Sequence, residues 1–150
     1  MDIEEQYDRL LRYCIMKLRD RTLAEDVTQE SFVRFFESKS YRDRGKELAY
    51  LYTIAANLCA DVYRRRREEP LDEQLPDETD ELRRIDGRLS IERALDKLTA
   101  DERDAVVLRY IAELSVGETA AVLGVSRFSL RRRLTAALGK LRKELTGFEE

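Results

Sequence analysis

The stretch Ser115-Val116-Gly117-Glu118-Thr119-Ala120-Ala121-Val122-Leu123-Gly124-Val125-Ser126-Arg127-Phe128-Ser129-Leu130-Arg131-Arg132-Arg133-Leu134 reads as two helices separated by a tight turn. Ser115 with Glu118 three residues on forms a capping box, in which hydroxyl and carboxylate satisfy the free amides at a helix start. Gly124 is a stop signal and Ser126 a fresh cap, so helices are predicted to begin near Val116 and Arg127, in a helix-turn-helix arrangement. Thr99 with Glu102 repeats the capping pattern upstream and predicts a helix from about Ala100, preceded by one over Ser90 to Leu98.

The last of these helices has two distinct sides. Leu130, Leu134, Ala137, Leu138, Leu141 and Leu145 line one, leaving Phe128, Arg132 and Thr135 opposite, with Arg127 and Arg131 on the flanks. Such a helix can lie in a DNA major groove, its first residues at base edges and its arginines on guanine or phosphate. A solvated basic face on an ordinary surface helix is the competing reading.

Upstream, Ile3, Tyr7, Leu10, Leu11, Cys14 and Leu18 recur at helical steps, as do Ala24, Val27, Ser31, Phe32 and Phe35, which predicts two amphipathic helices joined near Asp20 to Thr22. Ser38 to Lys46 lacks periodicity and reads as a loop. Leu48, Leu51, Tyr52, Ala55, Leu58, Cys59 and Val62 then mark a long helix over Glu47 to Arg67. On it, Tyr50, Asn57, Asp61 and Arg64 share a stripe away from the apolar side, a combination that suits unpaired DNA: aromatics stack on bases, amides read edges and arginines hold the backbone. Local helix contacts and solvation would explain the same residues. Asp26, Gln29 and Glu30 cluster on the polar side of the second helix, a surface suited to a basic protein partner or simply to water.

The net charge of −3 conceals strong segregation. Glu68 to Asp86 holds nine acids against two arginines and contains Pro70 and Pro76, Arg64 to Arg67 is all arginine, and Arg127 to Lys143 has seven bases and no acid. We therefore divide the all-α chain into a domain over 1–67, an acidic flexible linker over 68–86 and a second domain over 87–150. A local basic block is what phosphate attraction requires, whatever the average.

There is no histidine, no glycine-rich phosphate loop and no pairing of nucleophile with base, so neither an enzyme nor a metal or cofactor protein is expected. Cys14 and Cys59 each fit an apolar helix stripe and read as buried reduced thiols. No apolar run is long enough to span a membrane, and the acidic start Met1-Asp2-Ile3-Glu4-Glu5 is unlike a secretion signal, so a cytoplasmic location is expected.

These residues together resemble the extracytoplasmic-function (ECF) sigma factors, the small bacterial sigma class. Ala24 to Phe32 resembles that family's polymerase-binding helix. Leu51 to Leu58 with Asp61 and Arg64 to Arg67 resembles its −10 recognition helix. Ala94 to Thr99, Arg109-Tyr110 and Leu114 to Leu134 resemble its −35-reading domain. The resemblance implies a sigma region-2-like helical bundle and a region-4-like helix-turn-helix, core RNA polymerase and promoter DNA as partners, and an anti-sigma factor as regulator. It implies that Asp26, Gln29 and Glu30 meet the polymerase clamp, that Tyr50, Asn57, Asp61, Arg64, Arg65 and Arg66 face the −10 element, and that Ser126, Arg127, Phe128, Ser129, Arg131 and Arg132 face the −35 element. The loop Ser38 to Lys46 with Tyr50 would border a pocket for an everted base, and the acidic strap would thread the template channel.

Three positions depart from the family pattern. Tyr50 stands where tryptophan is usual, Thr119 where isoleucine is expected, and Phe128 where glycine is common. Two rival readings remain: a dimeric helix-turn-helix regulator independent of polymerase, and a sigma-like decoy that occupies polymerase without opening DNA.

Overall fold

A computed structural model describes residues 2–38, 46–68 and 88–146, and every regular element among them is helical. The predicted linker over 68–86, Glu68 apart, and most of the loop Ser38 to Lys46 lie outside the described residues.

The first half is a three-helix bundle: α1 (Ile3–Leu18), α2 (Arg21–Glu37) and α3 (Glu47–Glu68). Carboxylates start the first two helices, Asp2 accepting from the Glu5 amide at 3.2 Å and Asp20 from the Leu23 amide at 3.1 Å. Leu10, Tyr13, Cys14 and Leu18 of α1, Ala24, Val27, Phe32 and Phe35 of α2, and Leu51, Tyr52, Ala55 and Cys59 of α3 are buried together. Two hydroxyls on α2 enter this core without an unmet donor, because Thr28 and Ser31 donate to the Ala24 and Val27 carbonyls at 2.7 Å. Ile3, by contrast, is half exposed despite its place on the apolar stripe.

Cys14 and Cys59 lie 45 positions apart in sequence, yet the packing of α1 on α3 buries both in one core. Both are free and buried. The neighbouring Cys59 thiol, together with burial, pushes the Cys14 thiol far above its ordinary pKa, while the influence of Cys14 lowers Cys59.

The second half contains α4 (Arg88–Asp96), α5 (Ala100–Val106), a wide π turn (Val107–Ile111), α6 (Val116–Leu123) and α7 (Arg127–Thr146). Both predicted capping boxes are closed: Thr99 and Glu102 bond reciprocally at 3.2 and 2.9 Å, and Ser115 and Glu118 at 3.0 and 2.9 Å. Gly124 ends α6 in the left-handed conformation, φ 67°, and the Ser126 hydroxyl accepts from the Ser129 amide at 3.1 Å to open α7. Periodicity did not foresee the π turn, in which the Ala112 amide reaches back five residues to the Val107 carbonyl at 2.9 Å. Its effect is to bury Val107 and Leu108 side by side.

The apolar stripe of α7 is covered only in part. Leu130, Leu134 and Ala137 are buried, but Leu138 and Leu145 are exposed, since this small unit cannot cover all of a helix 20 residues long. No helix of the described residues is long and apolar enough to cross a membrane.

Candidate nucleic-acid interface

The structure presents two basic helical surfaces and one acidic one, each set by the way its helix is anchored. On α7 the anchor is the buried row Leu130, Leu134 and Ala137, which leaves Arg127, Phe128, Arg131 and Arg132 exposed and Ser129 half-buried. Phe128 is 70% exposed, the most exposed large apolar side chain among those described. Its ring is open to solvent in the first turn of α7. The Arg132 guanidinium sits 5.9 Å from the Phe128 ring centroid, a cation–π pair that holds both on one face.

Arg127 behaves differently. Its guanidinium folds back over Gly117 in the first turn of α6, where an added β-carbon would come within 2.8 Å of Nη2. Gly117, which the sequence reading left unused, leaves room for that side chain. Ser126, exposed, is committed to capping.

On α3 the anchor is Leu51, Tyr52, Ala55 and Cys59, so that Asn57 is exposed and Asp61 partly so. Arg64 is bonded to Asp61, its neighbour three residues back. Arg65 and Arg67 are exposed. Arg66 instead turns to the α1–α2 corner, donating to Asp20 at 3.2 Å and to the Leu18 carbonyl at 3.3 Å, so it braces the cap of α2. Tyr50 stands at the start of α3 against Phe35, ring centroids 6.1 Å apart. Phe32 and Phe36 continue that aromatic cluster.

On α2 the exposed side carries Asp26, Gln29 and Glu30, with Glu30 accepting from Arg34 at 2.9 Å. The three lie at three- and four-residue steps on one exposed face of α2.

The geometry suits binding. Two arginine-bearing helices, one in each half, can each take a phosphate backbone, and the phenylalanine and tyrosine at their starts offer apolar contact to bases. Thr119 is buried in α6 with its hydroxyl unpartnered among the described residues, as is the Tyr52 hydroxyl in α3.

The chain is similar in sequence to two family models in succession, Sigma-70 region 2 over residues 3–69 and Sigma-70 region 4 over residues 94–143. It is 35% identical over 153 residues to the ECF RNA polymerase sigma factor SigE of Mycolicibacterium smegmatis, an alignment covering 95% of this chain and 60% of that protein. It is 33% identical over 147 residues to the RNA polymerase sigma-E factor of Streptomyces avermitilis, covering 95% and 82%. Among solved structures it is similar to CnrH in complex with the cytosolic domain of CnrY, with a TM-score of 0.71 and 26% identity over 93% of this chain and 82% of that one. The sigma factor RpoE of Bartonella quintana, solved with the anti-sigma factor NepR, has the same fold, with a TM-score of 0.70 at 22% identity over 94% and 92% of the two chains.

Proposed function

Because the chain belongs to the extracytoplasmic-function sigma factors of bacterial RNA polymerase, which act in promoter recognition and transcription initiation, we propose how its own residues divide that work. Residues 1–67 serve as the polymerase-binding and −10 domain, 68–86 as an acidic tether, and 87–150 as the −35 domain. Asp26, Gln29 and Glu30 grip core polymerase. Asn57, Asp61, Arg64 and Arg65 meet the −10 element with Tyr50, while Arg66 supports them from the α1–α2 corner. Phe128, Ser129, Arg131 and Arg132 read the −35 element, with Arg127 and Ser126 shaping the entry of α7.

The observation that carries this reading is the pairing of order with exposure: two sigma-70 regions in sequence, each ending in an exposed arginine-bearing helix. The chain acts by binding and not by chemistry of its own. DNA opening follows from differential affinity, since a surface that holds unpaired bases more tightly than duplex shifts the equilibrium toward the open form. We place the protein in the cytoplasm with core polymerase and promoter DNA, held in reserve by an anti-sigma factor.

Association with core enzyme tests the assignment on α2. Asp26→Arg combined with Glu30→Arg should weaken capture of core polymerase by tenfold or more while leaving the helical signal unchanged. Undiminished capture would remove α2 from the contact.

A further inference from the structure

The corner between α1 and α2 is held from outside by the end of α3. Helix α1 stops at Leu18, Arg19 turns the chain in the left-handed conformation, φ 53°, and Asp20 already caps α2. Two carbonyls at the end of α1 take donors that stand one turn apart on α3: the Tyr63 hydroxyl donates to Lys17, and the Arg66 guanidinium to Leu18 at 3.3 Å. Terminal carbonyls have no partner within their own helix, and a cation beside them also meets the negative end of the helix dipole.

The Asp20 carboxylate divides its two oxygens. Oδ1 accepts from the Leu23 amide at 3.1 Å and so starts α2, while Oδ2 accepts from Arg66 at 3.2 Å. One side chain thereby belongs both to the start of the helix that carries Asp26, Gln29 and Glu30 and to the end of the helix that carries the arginine run. Both members of this ion pair are more than a third exposed, so it adds little stability by itself. What it fixes is direction.

Successive residues on a helix point about 100° apart. With Arg66 turned to the corner, Arg65 and Arg67 leave α3 on its two flanks, and both are exposed. Arg64 is engaged with Asp61. Neighbouring arginines thus do unlike work. The charge of Arg66 is matched within the protein by Asp20, whereas Arg65 and Arg67 have no carboxylate on them among the described residues.

We propose that Asp20 is a positioning residue for −10 recognition. It holds Arg66 against the α1–α2 corner, keeps the last turn of α3 in place, and so aims Arg65 and Arg67 at the DNA backbone, while Arg66 itself makes no phosphate contact. The role rests on the −10 reading given above; the brace does not.

Asp20→Asn separates bracing from capping. Asparagine caps as well as aspartate, but with its oxygen on the Leu23 amide it turns its own NH2 toward Arg66, donor against donor. Helicity and capture of core polymerase should be unchanged. In the DNA-free full chain, amide hydrogen exchange over residues 64–68 should quicken several-fold in Asp20→Asn and in Arg66→Met. Holoenzyme made with each variant is then titrated, over a range of salt, with a fork DNA from a promoter the chain selects, its −10 segment unpaired, and with the same fork scrambled in that segment. Arg65→Met should lower the slope of log affinity against log salt by about 0.7–0.9, the loss of one phosphate contact. Arg66→Met should leave the slope unchanged yet cut the preference for the −10 fork several-fold, and Asp20→Asn should cut that preference alike without lowering the slope. Wild-type exchange in both variants overturns the brace. A slope lowered by Arg66→Met as much as by Arg65→Met, or full preference retained in Asp20→Asn, overturns the positioning role. Fork binding untouched by Arg65→Met overturns the −10 reading and the positioning role with it, while the exchange rates still decide the brace.

Discussion

Arg132 lies one helical turn beyond Phe128 on the outer face of α7, its guanidinium 5.9 Å from the centre of the phenylalanine ring. The pair couples an apolar contact to a charged one. If the arginine takes a guanine edge or a phosphate, the ring is held beside a thymine methyl or a sugar. Replacing Phe128 by Gly removes the ring and frees the arginine, so binding should lose sequence preference at one −35 position, by about 1–3 kcal/mol of discrimination for a good base contact. Selection from a randomised −35 library measures this, and an unchanged preference refutes it.

Thr119 carries a hydroxyl into the packed side of α6 where nothing among the described residues receives it. Burying an unsatisfied hydroxyl costs about 1–3 kcal/mol. Thr119→Val keeps the shape and removes the polar atom, so the urea midpoint should rise, by about 1 kcal/mol in stability. A fall in the midpoint would show that the hydroxyl has a partner in solution.

Capping made the second half readable. Thr99, Ser115 and Ser126 fix helix starts at Ala100, Val116 and Arg127, because a hydroxyl bonding an amide three residues on is a local event that sequence alone specifies. The Cys14–Cys59 proximity and the Arg19–Asp96 ion pair were not readable, since both depend on which helix faces which, and a charged surface residue does not declare its partner. Arg66 shows the same limit within the site: its neighbours in an all-arginine run point to solvent, while it turns back to Asp20. The π turn left no trace because its wide hydrogen bond is set by packing around Val107 and Leu108 and not by residue preference.

Acid should loosen the contact between Arg19 and Asp96. The hydrogen bonds from Arg19 hold the Asp96 carboxyl below its ordinary range. A carboxylate depressed in the folded state adds stability that is complete above the unfolded value, about pH 4, and is lost as pH falls through the lower folded value. The radius of gyration of the full chain should therefore be constant from neutral pH to about 5 and increase below about 4. An increase that begins near neutrality would assign the transition to other groups.

Both thiols should resist alkylation in the native chain. Cys14 and Cys59 are at most 1% exposed, and Cys14 holds its proton firmly against ionisation. Labelling by a maleimide should follow the unfolding of the α1–α3 packing and accelerate with urea in step with the loss of helicity. Rapid labelling of either cysteine without denaturant would contradict the packing described.

Arg131 stands exposed on α7, so its replacement by alanine chiefly removes a charge. Arg131→Ala should weaken −35 binding across sequences and lower the slope of log affinity against log salt by about 1. An unchanged slope would take Arg131 off the phosphate backbone.

The most direct test of the whole account is transcription with purified core polymerase on genomic fragments from the source organism, with and without this chain. The account predicts discrete new start sites that require the chain and are lost when Asn57 and Asp61 are replaced by alanine. Start sites that are the same in its presence and absence would contradict it.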